Sequence, residues 1–259
     1  MKIQGRDCTL TVSKDGTFYP LPYSEETVRT ASKGYSLPCV IGGRKREKRI
    51  ETKKDITGCF VTRVDAHNVS ALFLLLFNFD EPFDIYTDRI FEKKVYKNVL
   101  VKGFELRAEN EEAIKMRLDL KDSEESYTDS WPVNLPDLSW NRNRTFHFDG
   151  HNVIADLKVL PLIYKFEITG DYTNDSKYTL TLYFPMSTEF FPTHKKIDKL
   201  TIVLDQKDGV SLELYDLKPL DDLCDINCAD TVLCFQKFTV NSIMVLKIRN
   251  EHQKLEVVL

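Results

Sequence analysis

Alternation of apolar and polar positions dominates this chain, and one ordered set of elements occurs in it twice. In residues 49–120, two strand-like runs (49–52 and 59–64) flank a turn, with Gly58 at the base of the second. Asp65 follows, then a run that is apolar nearly all round, VSALFLLLF at 69–77. Two longer alternating runs, 95–107 and 113–120, close the block around Glu109-Asn110-Glu111-Glu112. Period-two alternation predicts half-buried strands. The apolar run predicts a helix buried against a sheet, because Ala, Leu and Phe dominate it and His67 or Asn68 precedes it as N-cap.

Residues 200–259 repeat that order. Runs at 200–204 and 210–215 flank a turn ending in Gly209, and Asp216 follows. A short amphipathic segment at 218–226 takes the place of the helix, and long runs at 235–248 and 254–259 close the chain. Gly58 to Gly209 and Asp65 to Asp216 are both separated by 151 positions; Val101 to Val240 and Leu120 to Leu259 by 139. Repeats of this kind decide the architecture and are read first. The expectation is that 49–120 and 200–259 superpose as hairpin, helix and hairpin. The fold is therefore read as mainly β, in two tandem β domains that each carry a short helix: residues 1–120, a polar, proline-punctuated linker at 121–144, and a diverged second domain at 145–259.

Elsewhere, residues 6–22 read as a hairpin turning at Lys14-Asp15-Gly16. Residues 23–48 read as a long irregular connection, broken by Gly34, Pro38 and Gly42-Gly43 and ending in the densest basic run, Arg44-Lys45-Arg46-Glu47-Lys48-Arg49. A connection this long is usually functional or mobile, and its basic run reads as a solvated loop, as a contact with a neighbouring copy of the chain, or as a grip on nucleic acid. Strands are expected at 145–148, 162–172 and 178–184, and a loop at 189–196.

A formal charge of −4 argues against a dedicated nucleic-acid binder. No run is long enough to span a bilayer as a helix, and no secretory signal follows Met1-Lys2. The six cysteines read as reduced thiols.

Three stretches resemble the tail-tube fold of bacteriophages and related contractile injection systems: TKKDITGCFVT at 52–62, the helix at 69–77, and KNVLVKGFEL at 97–106. The resemblance implies β-sandwich or barrel-like tail-tube domains and a structural, non-enzymatic role. The chain would be a subunit of stacked rings forming a hollow tube for DNA or an effector, made in the bacterial host cytoplasm and working in the virion tail. Such proteins carry an arm reaching a neighbouring subunit where this chain has residues 23–48, which makes Arg44, Lys45, Arg46, Lys48 and Arg49 the candidate subunit contact. Rings in that family commonly place six tube domains around the axis, so three two-domain chains would close a homotrimer. Partners would be copies of the chain and other tail or baseplate proteins, with DNA only as passing cargo, no membrane and no cofactor.

Another reading is a distal-tail or baseplate adaptor or a carbohydrate-binding β-sandwich, recognising its ligand through Trp131, Trp140, Phe190 and Phe191. His147, Asp149 and His151 alternate as metal ligands on a strand would, but Gly150 interrupts them and they read as an exposed strand end. Cys224, Cys228 and Cys234 lack the paired C-x2-C spacing of structural zinc sites and read as packing thiols. No nucleophile, phosphate-loop or dinucleotide signature is present.

Overall fold

The alternating runs form strands, and the architecture is mainly β. The structure, a computed structural model, describes residues 9–41, 44–89, 93–121, 124–126, 144–173, 177–185, 196–207, 209–224, 233–249 and 253–258. In chain order the elements are β1 (Thr9–Lys14), β2 (Thr17–Leu21), β3 (Tyr23–Glu26), β4 (Arg29–Ile41), β5 (Arg44–Arg63), α1 (Val69–Phe77), β6 (Phe83–Asp88), β7 (Lys93–Glu109), β8 (Lys115–Lys121) and β9 (Glu124–Ser126). They continue with β10 (Val153–Ala155), β11 (Lys158–Val159), β12 (Lys165–Asp171), β13 (Lys177–Pro185), β14 (Ile197–Asp205), β15 (Val210–Cys224), β16 (Leu233–Val240), β17 (Ser242–Arg249) and β18 (Gln253–Val258).

These elements divide into two interleaved units: Met1–Phe60 with Phe79–Lys102 and Asp119–Ser139, and Val61–Asn78 with Gly103–Leu118 and Trp140–Leu259. One change of unit, between Ser139 and Trp140, falls within 121–144; the others fall in β5, next to the helix, and in β7 and β8.

In the first unit, β2, β1, β6, the first part of β7, and β9 pair in that order, all antiparallel. Asp15 (φ 51°) and Gly16 (φ 76°) make the tight β1–β2 turn, the left-handed pair of a hairpin whose twist matches its strands. A bulge between β6 and β7 leaves Asn98 at φ 55°, and its N–H donates to Asp84 Oδ1 at 3.1 Å. Leu10, Val12, Ile85, Val95, Tyr96, Val99 and Val101 form the core of this unit.

The second unit contains two antiparallel sheets that share one strand. One runs β7 (from Gly103), β12, β13, β16, β15; the other runs β11, β10, β14, β15, β17, β18. Up to Leu217, β15 pairs with β14 and β17; from Lys218 it pairs with β16. Asp216, at φ 53°, marks the change, and its carboxylate meets Lys196 Nζ at 2.8 Å. That hydrogen bond and charge hold the Asp216 carboxyl below its ordinary range. Phe166 and Ile168 on β12, Leu180 and Leu182 on β13, and Phe238 on β16 alternate into the core.

The helix lies where the apolar run predicts it, with Val69, Ala71, Leu72, Phe73, Leu75 and Leu76 buried. Asn68 is the N-cap but makes no capping bond itself. Asp65 Oδ1 instead accepts the N–H groups of His67 and Asn68, both at 2.8 Å, while Asn68 Oδ1 accepts the Asp65 N–H at 2.9 Å. At the other end, Tyr172 Oη donates to the Leu76 carbonyl at 3.1 Å, satisfying one of the carbonyls that a helix end leaves open.

Five expectations are corrected. The runs at 49–52 and 59–64 do not flank a turn, because β5 continues unbroken through 52–59 to Arg63. Tyr23–Glu26, Arg29–Ile41 and the basic run are strands β3, β4 and the start of β5, because β4 and β5 pair with each other from Arg29 opposite Thr57 to Ile41 opposite Arg44. Residues 218–224 are strand, held to β16 by backbone pairing, so α1 has no second copy among the described residues. The run at 235–248 is two strands, parted at Asn241, whose N–H donates to the Tyr215 carbonyl at 3.2 Å. Residues 145–148 make only isolated bridges, Thr145 with Asp65 and His147 with Ala113.

Candidate assembly surface

The candidate surface is the hairpin β4–β5, and its geometry begins at the root. Thr27 and Gly58-Cys59 cross there. The Thr27 N–H donates to the Cys59 carbonyl at 2.9 Å, and the Cys59 N–H donates to Thr27 Oγ1 at 3.1 Å. Gly58 has φ +135°, and a Cβ on it would lie 2.4 Å from the Thr27 carbonyl oxygen. Only glycine permits both the close approach and that backbone conformation.

Beside the crossing, Glu26 is nearly enclosed and takes a two-pronged ion pair from Arg89: Nη2 to Oε1 at 2.7 Å and Nε to Oε2 at 2.9 Å. Such a fork is among the stronger polar contacts a side chain makes. Glu26 Oε1 also accepts the Val28 N–H at 2.6 Å. The Val28 carbonyl accepts from Arg89 Nη2 at 2.6 Å and from Tyr96 Oη at 3.3 Å. Val28 itself is fully buried. Both backbone polar groups of Val28 are thus satisfied at the base of the hairpin.

From the root the ladder runs from Arg29 opposite Thr57 to Ile41 opposite Arg44, with one shift between Lys33 and Gly34. At roughly 3.4 Å per residue, the 13 residues of β4 span about 44 Å. The register places the basic run opposite an apolar one: Arg44 faces Ile41, Arg46 faces Cys39 and Lys48 faces Leu37. Lys45 stands opposite Val40 and Arg49 opposite Ser36. Residues 44–49 hold five cations against Glu47, a net +4, so the rest of a chain of net −4 carries −8.

The structure therefore places all five candidate contact residues, Arg44, Lys45, Arg46, Lys48 and Arg49, on one strand. Reading the sequence missed the root that positions them. Gly58 was the visible signal; the pairing of Glu26 with Arg89, 63 residues away, carries none. Trp131, Trp140, Phe190 and Phe191 lie outside the described residues.

The other candidate groups take local roles. His147 Nδ1 is 3.0 Å from the Thr145 carbonyl. Asp149 accepts the His151 N–H at 3.0 Å and Asn152 Nδ2 at 2.6 Å, closing a turn. Among the described residues no group of three or more His, Cys, Asp or Glu side chains is arranged to hold a metal ion. In the second unit a shallow cleft is lined by Arg107, Glu109, Glu112, Lys115 and Lys165. Within it Lys115 Nζ lies 4.0 Å from Glu112, while Lys165 and Arg107 pair with Glu167 (2.7 Å) and Glu105 (3.0 Å) outside its lining. Among the described residues, no helix is long and apolar enough to cross a membrane.

No protein-family model matches the chain, and no curated protein sequence matches it.

Proposed function

We propose that this chain is a structural subunit that assembles with copies of itself into stacked rings forming a tail-tube-like conduit. The observation that carries the reading is the long hairpin: a net +4 on residues 44–49 of a chain that is otherwise −8, standing on a root held by the Glu26–Arg89 ion pair and the Gly58 crossing. A two-stranded ribbon is marginally stable alone in water. One whose basic strand pairs in register with the apolar positions Leu37, Cys39 and Ile41 gains most by lying on an acidic, partly apolar surface. A second copy of the same chain offers the acidic excess.

In this reading the hairpin is the arm that reaches the neighbouring subunit, and the two units supply sandwich- or barrel-like tube domains. Sheets of adjacent subunits join edge to edge into an inner barrel, which removes the exposed edges that otherwise aggregate. The lumen passes DNA or an effector as cargo. The chain works with other tail or baseplate proteins, needs no cofactor, and is made in the host cytoplasm before joining the virion tail.

The test is sedimentation velocity across protein and salt concentration. Charge-driven assembly gives larger species at high protein concentration that dissociate as salt rises. A monomer at every concentration at low salt rejects the reading.

A further inference from the structure

β15 and β16 pair with Cys224 directly opposite Cys234, next to Leu223 opposite Phe235 and Asp222 opposite Gln236. Directly opposed residues of an antiparallel pair have Cα atoms about 4.5 or 5.5 Å apart, depending on whether ladder bonds flank them. Both separations fall in the range of roughly 4.4–6.8 Å that a disulfide bridges. On its other edge β16 is fixed by β13, with Phe184 opposite Cys234, and Cys234 is buried. After a register shift between Pro219 and Asp222, the ladder sets the two cysteine positions directly opposite each other.

We propose that Cys224 and Cys234 close a cross-strand disulfide when the protein passes from a reducing cytoplasm to an oxidising medium, stapling the base of the 225–233 segment. The thiols are reduced where the chain is made, and the register makes these two the pair that oxidises on leaving. The oxidant is a low-molecular-weight disulfide such as oxidised glutathione. One cysteine thiolate attacks it, forming a mixed disulfide and releasing one glutathione thiolate. The second cysteine thiolate then displaces the other glutathione, a step made intramolecular by the pairing. The two protein thiols give up two protons and two electrons, and the small disulfide becomes two thiols. The pairing of the two cysteines stands on the register; the move to an oxidising medium rests on the proposed function.

The test uses the reduced, folded full chain incubated with oxidised glutathione, then alkylated, digested without reductant and analysed by mass spectrometry. The expected result is a peptide pair joining Cys224 to Cys234, with two of the six thiols lost. Hydrogen exchange at Leu223 and Phe235 should slow by about tenfold or more. Cys228→Ser should keep the cross-link, while Cys224→Ser and Cys234→Ser should each abolish it. Six thiols unchanged, a persistent glutathione adduct in the wild-type chain, or a cross-link through Cys228 would overturn the proposal. Because the decisive readout is on the wild-type chain, a variant that misfolds leaves the test intact.

Discussion

Gly58 and Tyr172 each hold one joint of this molecule. At Gly58, φ +135° and a phantom Cβ 2.4 Å from a carbonyl oxygen exclude any side chain. Gly58→Ala should cost about 2–4 kcal/mol in urea denaturation; a loss below about 0.5 kcal/mol would show that the crossing relaxes freely. At Tyr172, burial first and then the neighbouring Tyr178 push the phenol above its ordinary value of 10.0. Tyr172→Phe removes the bond to the Leu76 carbonyl and should cost about 1 kcal/mol at neutral pH. The folded phenol keeps its proton where the unfolded one loses it. Its contribution is therefore complete below pH 10 and declines as pH rises beyond that. The difference between wild type and Tyr172→Phe should shrink above pH 10 in denaturation measured across pH; a constant difference would contradict the assignment. Gly58 stood out in the sequence because a lone glycine entering a strand marks a close approach. Tyr172 did not, since its partner is a backbone carbonyl 96 positions away.

At the scale of elements, local pattern succeeded where an element's chemistry is its own. The helix at 69–77 was legible from its composition, and the first hairpin from Asp15-Gly16. Legibility failed where pairing decides. Residues 29–57 alternate poorly, so Gly34, Pro38 and Gly42-Gly43 read as breaks, yet β4 and β5 pair along the whole stretch. Residues 218–224 carry a helix-like spacing of Leu and Asp, yet pairing with β16 makes them strand. The hairpin is also where the assembly reading is most exposed to mutation. Replacing Arg44, Lys45 and Arg46 with Glu should leave the monomer folded, since charge changes away from a packed core usually move stability by about 0.5 kcal/mol or less. Self-association should weaken by at least tenfold, because like charges facing each other across an interface cost several kcal/mol. Equal association by sedimentation, with an unchanged circular dichroism spectrum, would remove these residues from the contact.

Across the whole molecule, the internal repeat was the boldest reading of the sequence, and the structure divides it. Residues 49–63 lie in one strand, β5, whereas 200–215 form the hairpin β14–β15, so the first hairpin of the repeat has no counterpart; Gly209, like Gly58, has positive φ, though at 61° against 135°. The helix does not recur among the described residues, because β15 continues straight into a second sheet. Side-chain type repeated, but the sheet to which a strand is recruited is set by long-range partners that local pattern does not encode. We retain the two-domain count as part of the proposal: three chains supply six tube domains, closed by a head-to-tail contact. A ring of six chains would keep the tube and withdraw that count. The direct measurement is electron microscopy of the purified protein across concentration, with native mass spectrometry of the same sample. The account predicts hollow rings with threefold end-on views and the mass of three 30.1 kDa chains; a monomer at every concentration contradicts it.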